Sequence, residues 1–257
     1  MPSGAITEYI DVAQLALYGF WIFFAGLVIY LRREDKREGY PLESDRSGSI
    51  TVQGWPPMPA PKSRLLKSGM SPLPNNAPDL RPLAARPTGN WPGAPLEPTG
   101  NPMLDGVGPA AYANRADVPD VTIDGIPRIV PLRVTDHYSV ASQDPDPRGM
   151  AVVGADGESG GTVRDIWVDR AEEIFRYLEV TVPTPAGGRN VLLPVNFTKI
   201  DGGRRQVKVA SILGAQFAHV PAHANADQVT LLEEDRIMGY YGGGTLYAEP
   251  SRREPLI

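Results

Sequence analysis

The amino-acid sequence predicts one N-terminal membrane-spanning α-helix, followed by a mainly-β cytoplasmic domain that ends in a short helix. Three observations lead to this fold class: an uncharged apolar run over residues 12–31, a proline-dense stretch after it, and a series of short β-rich runs from about residue 126 onward. About 20 helical residues cover the roughly 30 Å hydrocarbon core of a bilayer. The first run therefore predicts a single span.

The charges on either side of the span predict its orientation. Glu8 and Asp11 are the only charged residues before it, whereas a basic cluster over residues 32–37 follows it. A secretory signal would carry its basic residues before the apolar run, so we expect this segment to stay in the protein. The positive-inside rule then places residues 1–11 outside and the remainder in the cytoplasm. Four basic side chains are expected to contact lipid headgroups: Arg32, Arg33, Lys36 and Arg37.

Composition excludes several functional classes. The chain has no cysteine, which excludes disulfides, thiolate catalysis and metal sites held by thiolates. Its formal net charge is −5, and −3 remains after the two acidic residues before the span are set aside. A protein that binds nucleic acid would normally show a basic surplus, so no nucleic-acid partner is expected.

Residues 32–125 are predicted to be extended, because 15 of the 27 prolines lie between Pro41 and Pro109. Proline lacks an amide donor and disfavours helix at the residue before it. Two interpretations remain open. The stretch is either a disordered tether or an ordered segment that lies across a partner protein. The second interpretation supplies four anchor residues: Trp55, Leu65, Leu66 and Trp91.

Residues 126–257 have the pattern of a folded β domain. Glycine-containing turns at residues 156–157 and 201–203 separate runs that are rich in β-branched and aliphatic residues. Five or six short strands with tight turns suggest a small antiparallel barrel or sandwich. The predicted strands lie at 129–134, 150–153, 162–168, 176–182, 190–197 and 206–212.

The C-terminal part contains a helix signal. Thr230 and Glu233 have the spacing of a capping box, which predicts a helix that starts there and runs toward Tyr241. We expect the three glycines at 242–244 to end this helix, since glycine is favoured at a left-handed C-terminal cap.

One acidic group has the spacing of a functional site. Asp169, Glu172, Glu173 and Arg176 would share one face if their segment made a helical turn. Neighbouring carboxylates raise one another's proton affinity, and partial burial adds to the effect, so such a group can relay protons near neutral pH. A solvated charged turn between two strands is the alternative, and the residues alone favour it.

A second candidate is a histidine pair with the spacing of metal ligands. His219 and His223 lie four residues apart, but Pro221 between them disfavours the helix that would bring both imidazoles to one face. No metal site is expected in this chain.

Three stretches, read in order, resemble a known family. They are YLRREDKREGYPL at 30–42, PTGNPM with DGVGPA over 98–110, and IWVD with RYLE over 166–179. In this order, after one N-terminal span, they look like the H subunit of the purple-bacterial photosynthetic reaction centre. The resemblance extends over nearly the whole chain.

The resemblance implies a PRC-type β-barrel that caps the cytoplasmic face of two pigment-bearing membrane subunits, L and M. Such a subunit is not an enzyme and binds no pigment. It stabilises the complex, shields the quinone sites and conducts protons to the secondary quinone. The implied location is the bacterial inner (intracytoplasmic) membrane, with a periplasmic N-terminus. The alternative is a membrane-tethered PRC-barrel adaptor for another membrane or cytoplasmic partner.

The resemblance also implies what surrounds the chain. Other subunits are expected to carry bacteriochlorophyll, bacteriopheophytin, quinones, non-haem iron and carotenoid. A light-harvesting antenna ring and a cytochrome subunit are further partners that such a complex could contain, together with membrane lipids.

By motif match, Asp169 and Glu172 fall where the family places acids of the proton route, and Arg176 falls on a basic position. Asp120 matches an acid nearer the surface. Some family members carry two histidines just after an Asp-Gly pair at the start of the route, but this chain has none at the matching residues 124–128. Protons are therefore expected to enter through carboxylates and water, or elsewhere.

Overall fold

The computed structural model contains two compact units, and each is described by itself. One unit comprises residues up to 78 together with 91–93, and the other comprises residues 79–90 and 94–257. The described residues are 11–37, 40, 54–60, 62–66, 69–73, 79–91, 93–185 and 187–253. Residues 1–10 of the predicted N-terminal segment lie outside this part of the chain, as does the side chain of the predicted anchor Leu66.

Helix α1 (Val12–Asp35) forms the predicted span and continues one turn beyond it. Asp11 begins the helix by accepting a hydrogen bond from the Gln14 amide at 2.7 Å, and the Gln14 side chain accepts one in return from the Asp11 amide at 3.2 Å. Its side chains are exposed up to Arg33. Within the described residues α1 is the one helix with the length and composition needed to cross a membrane.

Residues from the range 54–62 contact the C-terminal end of α1. The Lys36 ammonium donates to the carbonyl oxygens of Gly54 and Pro56, at 3.1 and 2.6 Å. Glu34 pairs with both Arg37 and Lys62, at 2.8 and 2.6 Å. Two antiparallel strands follow, β1 (Lys62–Leu66) and β2 (Gly69–Leu73).

Three of the anchor residues that the sequence predicts are exposed. Trp55, Leu65 and Trp91 have 72%, 80% and 59% of their surface accessible. Their side chains are available to a partner, and the contact itself stays a prediction.

The second unit begins with short elements. They are the antiparallel pair β3 (Ala85–Pro87) and β4 (Leu96–Pro98), then the single-turn helix α2 (Pro102–Asp105). A 3₁₀ turn at Gly108–Ala110 comes next. The strands in this part of the chain are short because its prolines lack the amide donors that a longer ladder needs.

A seven-stranded sheet forms the centre of this unit. In hydrogen-bonded order the strands run β10, β11, β6, β7, β8, β9, and β5 pairs with β7 on the side. The bounds are β5 Ile129–Pro131, β6 Ala151–Val153, β7 Ser159–Asp169, β8 Ile174–Thr184, β9 Gly187–Pro194, β10 Thr198–Asp201 and β11 Gln206–Val209. The mainly-β domain between two helices is therefore confirmed.

Two details of the predicted barrel need correction. Strands β11 and β6 run parallel rather than antiparallel, because β10 and β11 form a hairpin that returns to the far side of β6. The sheet is also open between β9 and β10 in the described residues. Pro194 and a 3₁₀ turn at Val195–Phe197 end β9 inside the predicted strand 190–197, which removes the donors that would continue the ladder.

The core lies on both faces of the long strands. Leu178, Val180 and Val182 are buried, as their alternation predicts, but Tyr177 and Glu179 on the opposite face of β8 are buried as well. Aliphatic and aromatic side chains from most strands and from the C-terminal helix complete one continuous core.

Helix α3 (Leu231–Tyr247) starts as predicted but does not end as predicted. Its capping box is present, with Glu233 N donating to Thr230 Oγ1 at 3.1 Å and Thr230 N donating to Glu233 Oε2 at 2.9 Å. The glycines at 242–244 lie inside the helix because they allow close packing. A Cβ on Gly243 would lie 2.5 Å from the Cβ of Ala110, and one on Gly244 would lie 2.5 Å from the carbonyl oxygen of Ser211.

We expect Gly243→Ala to lower the free energy of unfolding by about 1–3 kcal/mol, because the added methyl group overpacks the contact with Ala110. Denaturant unfolding of the full chain in detergent measures the change. Gly242→Ala is the matched control, since its Cβ would lie 3.0 Å from the Pro109 carbonyl oxygen, a close contact but a longer one than the 2.5 Å at Gly243. Alanine favours helix over glycine by about 1 kcal/mol, and this gain should offset the cost of the close contact. The free energy of unfolding of the control should therefore be nearly unchanged. Equal losses in both variants would contradict the packing role of Gly243.

Candidate functional site

The four residues that the resemblance assigns to a proton route lie together around Arg128, which the sequence analysis did not select. We call these five residues the Arg128 cluster: Asp120, Arg128, Asp169, Glu172 and Arg176. Arg128 lies directly before β5, and its backbone N–H donates to the carbonyl oxygen of Asp120 at 2.8 Å. The other three residues lie at the junction between β7 and β8.

The junction between β7 and β8 is a tight hairpin turn that contains a single helical turn, since the backbone N–H of Glu173 donates to the carbonyl oxygen of Asp169 at 2.8 Å. Asp169 pairs with Ile174 across the turn. Its Oδ1 accepts hydrogen bonds from the backbone N–H groups of Ala171 and Glu172, at 3.0 and 3.1 Å. Glu173 has a φ of 57°, in the left-handed region. The turn brings Glu172 and Arg176 to the same side as Asp169, whereas the fourth residue of the predicted group, Glu173, makes no side-chain hydrogen bond or ion pair with them among the described residues.

Two guanidinium groups bridge three carboxylates in the Arg128 cluster. Arg128 Nε donates to both Asp169 oxygens, at 2.9 and 3.0 Å, and Nη1 reaches Asp120 Oδ2 at 3.2 Å. Arg128 Nη2 also bonds Glu172. Arg176 donates from Nε to Asp169 Oδ2 at 3.2 Å and from Nη2 to Glu172 Oε2 at 2.6 Å. Each arginine therefore ties Asp169 to Glu172.

Asp169 and its two carboxylate neighbours differ in exposure. The Asp169 side chain is 1% exposed, whereas those of Asp120 and Glu172 are 40% and 49% exposed. Burial alone would raise the pKa of Asp169, but the hydrogen bonds from Arg128 and from the two backbone N–H groups outweigh it and lower that pKa. The same pairing with Asp169 raises the pKa of Arg128. Asp169 is thus held ionised, while solvent reaches the other two carboxylates.

The basic residues after the span have two kinds of environment. The Arg32 side chain is 58% exposed and lies 3.9 Å from Asp35, and Arg33 is also exposed. Lys36 is buried against backbone carbonyls, and the Arg37 side chain, at 15% exposed, pairs with Glu34. Contact with lipid headgroups stays a prediction for all four residues. For Lys36 and Arg37 it would compete with these internal bonds.

The two histidines of the candidate pair have different environments. His219 ends a 3₁₀ turn, and the His223 ring lies edge-on to Trp167 with centroids 5.4 Å apart. Burial lowers the pKa of His223. The part of the chain that the structure describes contains no group of three or more histidine, aspartate or glutamate residues that could hold a metal ion.

A second buried charge network was missed by the sequence analysis. The Glu179 carboxylate accepts hydrogen bonds from Arg133 Nη1 at 2.5 Å, Arg164 Nη1 at 3.0 Å and Trp167 Nε1 at 3.1 Å. Asp165 binds Arg133 as well, at 3.1 Å. Glu179 alternates with the aliphatic Leu178 and Val180 along β8, and an alternating strand commonly exposes its polar face, so the sequence carries no signal of this burial. Both oxygens of the Glu179 carboxylate accept hydrogen bonds, and these bonds connect β8 to β7 and to the 3₁₀ turn that contains Arg133.

We expect Asp169→Ala to lower the free energy of unfolding by about 2–3 kcal/mol, because it leaves two arginines of a buried network without their common acceptor. Denaturant unfolding of the full chain in detergent measures this. The matched control is Asp146→Ala, which removes an aspartate that binds Arg148 at 2.6 Å in an exposed pair. Exposed pairs contribute about 0–1 kcal/mol, so the control should change little.

The pH dependence provides a second readout of the same interaction. Since the pKa of Asp169 is lower in the folded chain, the pair stabilises the fold above the unfolded-state pKa of about 4 and loses its effect as the pH falls below that value. Asp169→Ala should therefore flatten the acid limb of the stability curve. An unchanged acid limb would contradict the lowered pKa.

Two family models match the chain in succession. The model of the photosynthetic reaction centre, H-chain N-terminal region, matches residues 4–134, which is half of the chain. The PRC-barrel domain model matches residues 140–216. The first match contains α1, Asp120 and Arg128, and the second contains the hairpin with Asp169, so the Arg128 cluster draws residues from both. The chain belongs to the photosynthetic reaction centre H-chain family and is an accessory subunit of a reaction centre.

Proposed function

We propose that this chain caps the cytoplasmic face of the pigment-bearing subunits L and M, stabilises them, shields the quinone sites from bulk water and conducts protons to the secondary quinone. The family match supports the role of accessory subunit. The observation that carries the finer proposal is the Arg128 cluster, in which one buried carboxylate holds two arginines and these arginines hold two carboxylates that solvent reaches.

Quinone chemistry explains why such a cluster is useful. A quinone that accepts two electrons must also accept two protons, and a buried anion is costly in a medium of low dielectric until the protons arrive. A series of carboxylates and waters can supply the protons while most of the solvent stays excluded. The proposed route therefore needs acids at fixed positions between the surface and the membrane subunits.

Within the cluster the residues have different proposed roles. Asp120 and Glu172 exchange protons, because their carboxylates contact solvent and share the guanidinium of Arg128. Asp169 positions both arginines and stays ionised. Arg176 holds Glu172 in place at 2.6 Å and offsets part of the negative charge.

The proposed placement in the membrane follows from α1. Residues 12–31 span the bacterial inner membrane, residues 1–11 lie in the periplasm, and the rest of the chain is cytoplasmic. Residues 32–125 are proposed to pack on the partner subunits, which is consistent with the exposed side chains of Trp55, Leu65 and Trp91. The barrel domain occupies residues 126–257. The pigments, quinones and non-haem iron are carried by the other subunits.

We expect Glu172→Gln to slow the second electron transfer to the quinone by about tenfold or more, because a general acid of a proton-coupled step contributes at least that much. Primary charge separation should be unchanged, since it involves no proton. Flash spectroscopy of the intact complex measures both rates.

Glu173→Gln is the matched control for this substitution. Glu173 is the next residue in the same turn, it is exposed, and it lies outside the Arg128 cluster. Its rates should equal those of the wild type. If Glu172→Gln behaves like this control, the cluster reverts to a solvated charged turn without a part in proton transfer.

Purification tests the assignment of partners. A tag on the C-terminus of this chain should recover, from native membranes, a pigmented complex whose near-infrared absorption bleaches reversibly after a flash. A colourless product that contains other proteins would contradict the proposed partners and would favour the adaptor alternative.

A further inference from the structure

An open groove of about 520 Å³ lies beside the Arg128 cluster. Its polar lining consists mainly of Arg115, Arg176, Tyr177, Glu234 and Asp235, and apolar side chains from β8, the end of β9 and α3 form the rest. Since one water molecule occupies roughly 30 Å³ in the liquid, the groove has room for several. Arg176 also binds Asp169 and Glu172, so the groove and the cluster share one guanidinium.

Glu234 and Tyr177 form a hydrogen-bonded pair at the wall of this groove. The buried Tyr177 hydroxyl donates to Glu234 Oε2 at 2.8 Å. Among the described residues this is the one hydrogen bond to the Glu234 carboxylate. The preceding residue differs, because both Glu233 oxygens accept backbone N–H groups, from Ala224 at 2.6 Å and from Thr230 at 2.9 Å. Glu233 thus caps the helix, whereas Glu234 is available for other chemistry.

We propose that Glu234, paired with Tyr177, is a further proton-holding group of this subunit, which stores a proton beside the Arg128 cluster and passes it through water in the groove. The inference rests on the proposed function. In the transfer, the Glu234 carboxylic acid releases its proton to groove water, the Glu172 carboxylate takes up a proton from that water, and solvent at the open side of the groove then reprotonates Glu234.

The electrostatics of the groove support this role. Burial raises the pKa of Glu234, and the nearby Asp120 carboxylate adds to the rise, while the Tyr177 hydroxyl, Arg115 and Arg176 lower it; the net pKa lies above the ordinary value. Asp235, the other acid in the groove, pairs with Arg115 at 3.4 Å. Burial also raises the pKa of Tyr177, so its phenol remains a donor. The pKa of Glu234 is therefore raised, whereas the pKa of Asp169 is lowered, so Glu234 keeps a proton at pH values at which Asp169 has lost its own.

The test uses the intact complex with Glu234→Gln. We expect reduced proton uptake after the flash that reduces the secondary quinone, and loss of a carboxylic-acid carbonyl band from the light-induced infrared difference spectrum. Glu249→Gln is the matched control, because Glu249 pairs with Arg252 at 3.1 Å outside the groove. It should leave both signals unchanged.

Tyr177→Phe gives an independent readout. It removes the donor that lowers the pKa of Glu234, so the titration of the carbonyl band should shift to higher pH. A storage role requires that the pH dependence of flash-induced proton uptake shift together with this band, whereas a purely structural role of Glu234 leaves that uptake unchanged. If Glu234→Gln prevents assembly of the complex, the pH dependence of proton uptake in Tyr177→Phe decides the question by itself.

The outcomes separate this inference from the proposed function. If Glu172→Gln slows the second electron transfer but the Glu234 and Tyr177 variants match the wild type, the storage role of Glu234 is wrong and the proposed function stands. If Glu172→Gln also has no effect, the proposed function is wrong and the inference falls with it. Reduced uptake in Glu234→Gln together with the shift in Tyr177→Phe supports the inference.

Discussion

The ion pair between Arg128 and Asp169 is the interaction on which the rest of the candidate site depends. Asp169 ends β7 and Arg128 precedes β5, so their pairing fixes the loop that carries Asp120 against the turn that carries Glu172. Asp169 is buried, and loss of its partner would leave an uncompensated charge, which is costly. The positions of the two solvent-accessible carboxylates therefore follow from one buried carboxylate.

This pair also makes the region before the sheet part of the same folded unit. Arg128 and Ala110 lie within the H-chain family match, whereas Asp169 lies within the barrel match, and Ala110 packs against Gly239 and Gly243 of α3. A Cβ on Gly239 would lie 2.7 Å from the Ala110 carbonyl oxygen. Hence the barrel sheet and α3 both depend on contacts with the preceding segment, and residues 140–216 of the barrel match do not include Arg128.

The sequence predicted the parts of the fold that local patterns determine. The apolar run predicted α1, the β-rich runs between turns predicted the long strands, and Thr230 with Glu233 predicted the start of α3. The predictions that were wrong or missing concern features that depend on long-range contacts. The sequence predicts a helix end at Gly243 because it does not show the contact with Ala110. Likewise, the burial of Glu179 depends on three donors that lie elsewhere in the chain. Arg128 was missed for the same reason, since its partner lies 41 residues away.

Hydrogen bonding separates the buried or partly buried acids of this chain into two classes. Asp169, Glu179 and Glu233 accept two or more hydrogen bonds each, from arginines, an indole or backbone amides, and this saturation fixes both their position and the structure around them. Glu234 accepts one side-chain hydrogen bond from the residues that the structure describes, and it lies against a groove that can hold water. The arginine and backbone donors lower the pKa of Asp169, whereas burial raises the pKa of Glu234. Among these buried acids, proton storage is therefore expected at Glu234, and Asp169, Glu179 and Glu233 fix the structure around it.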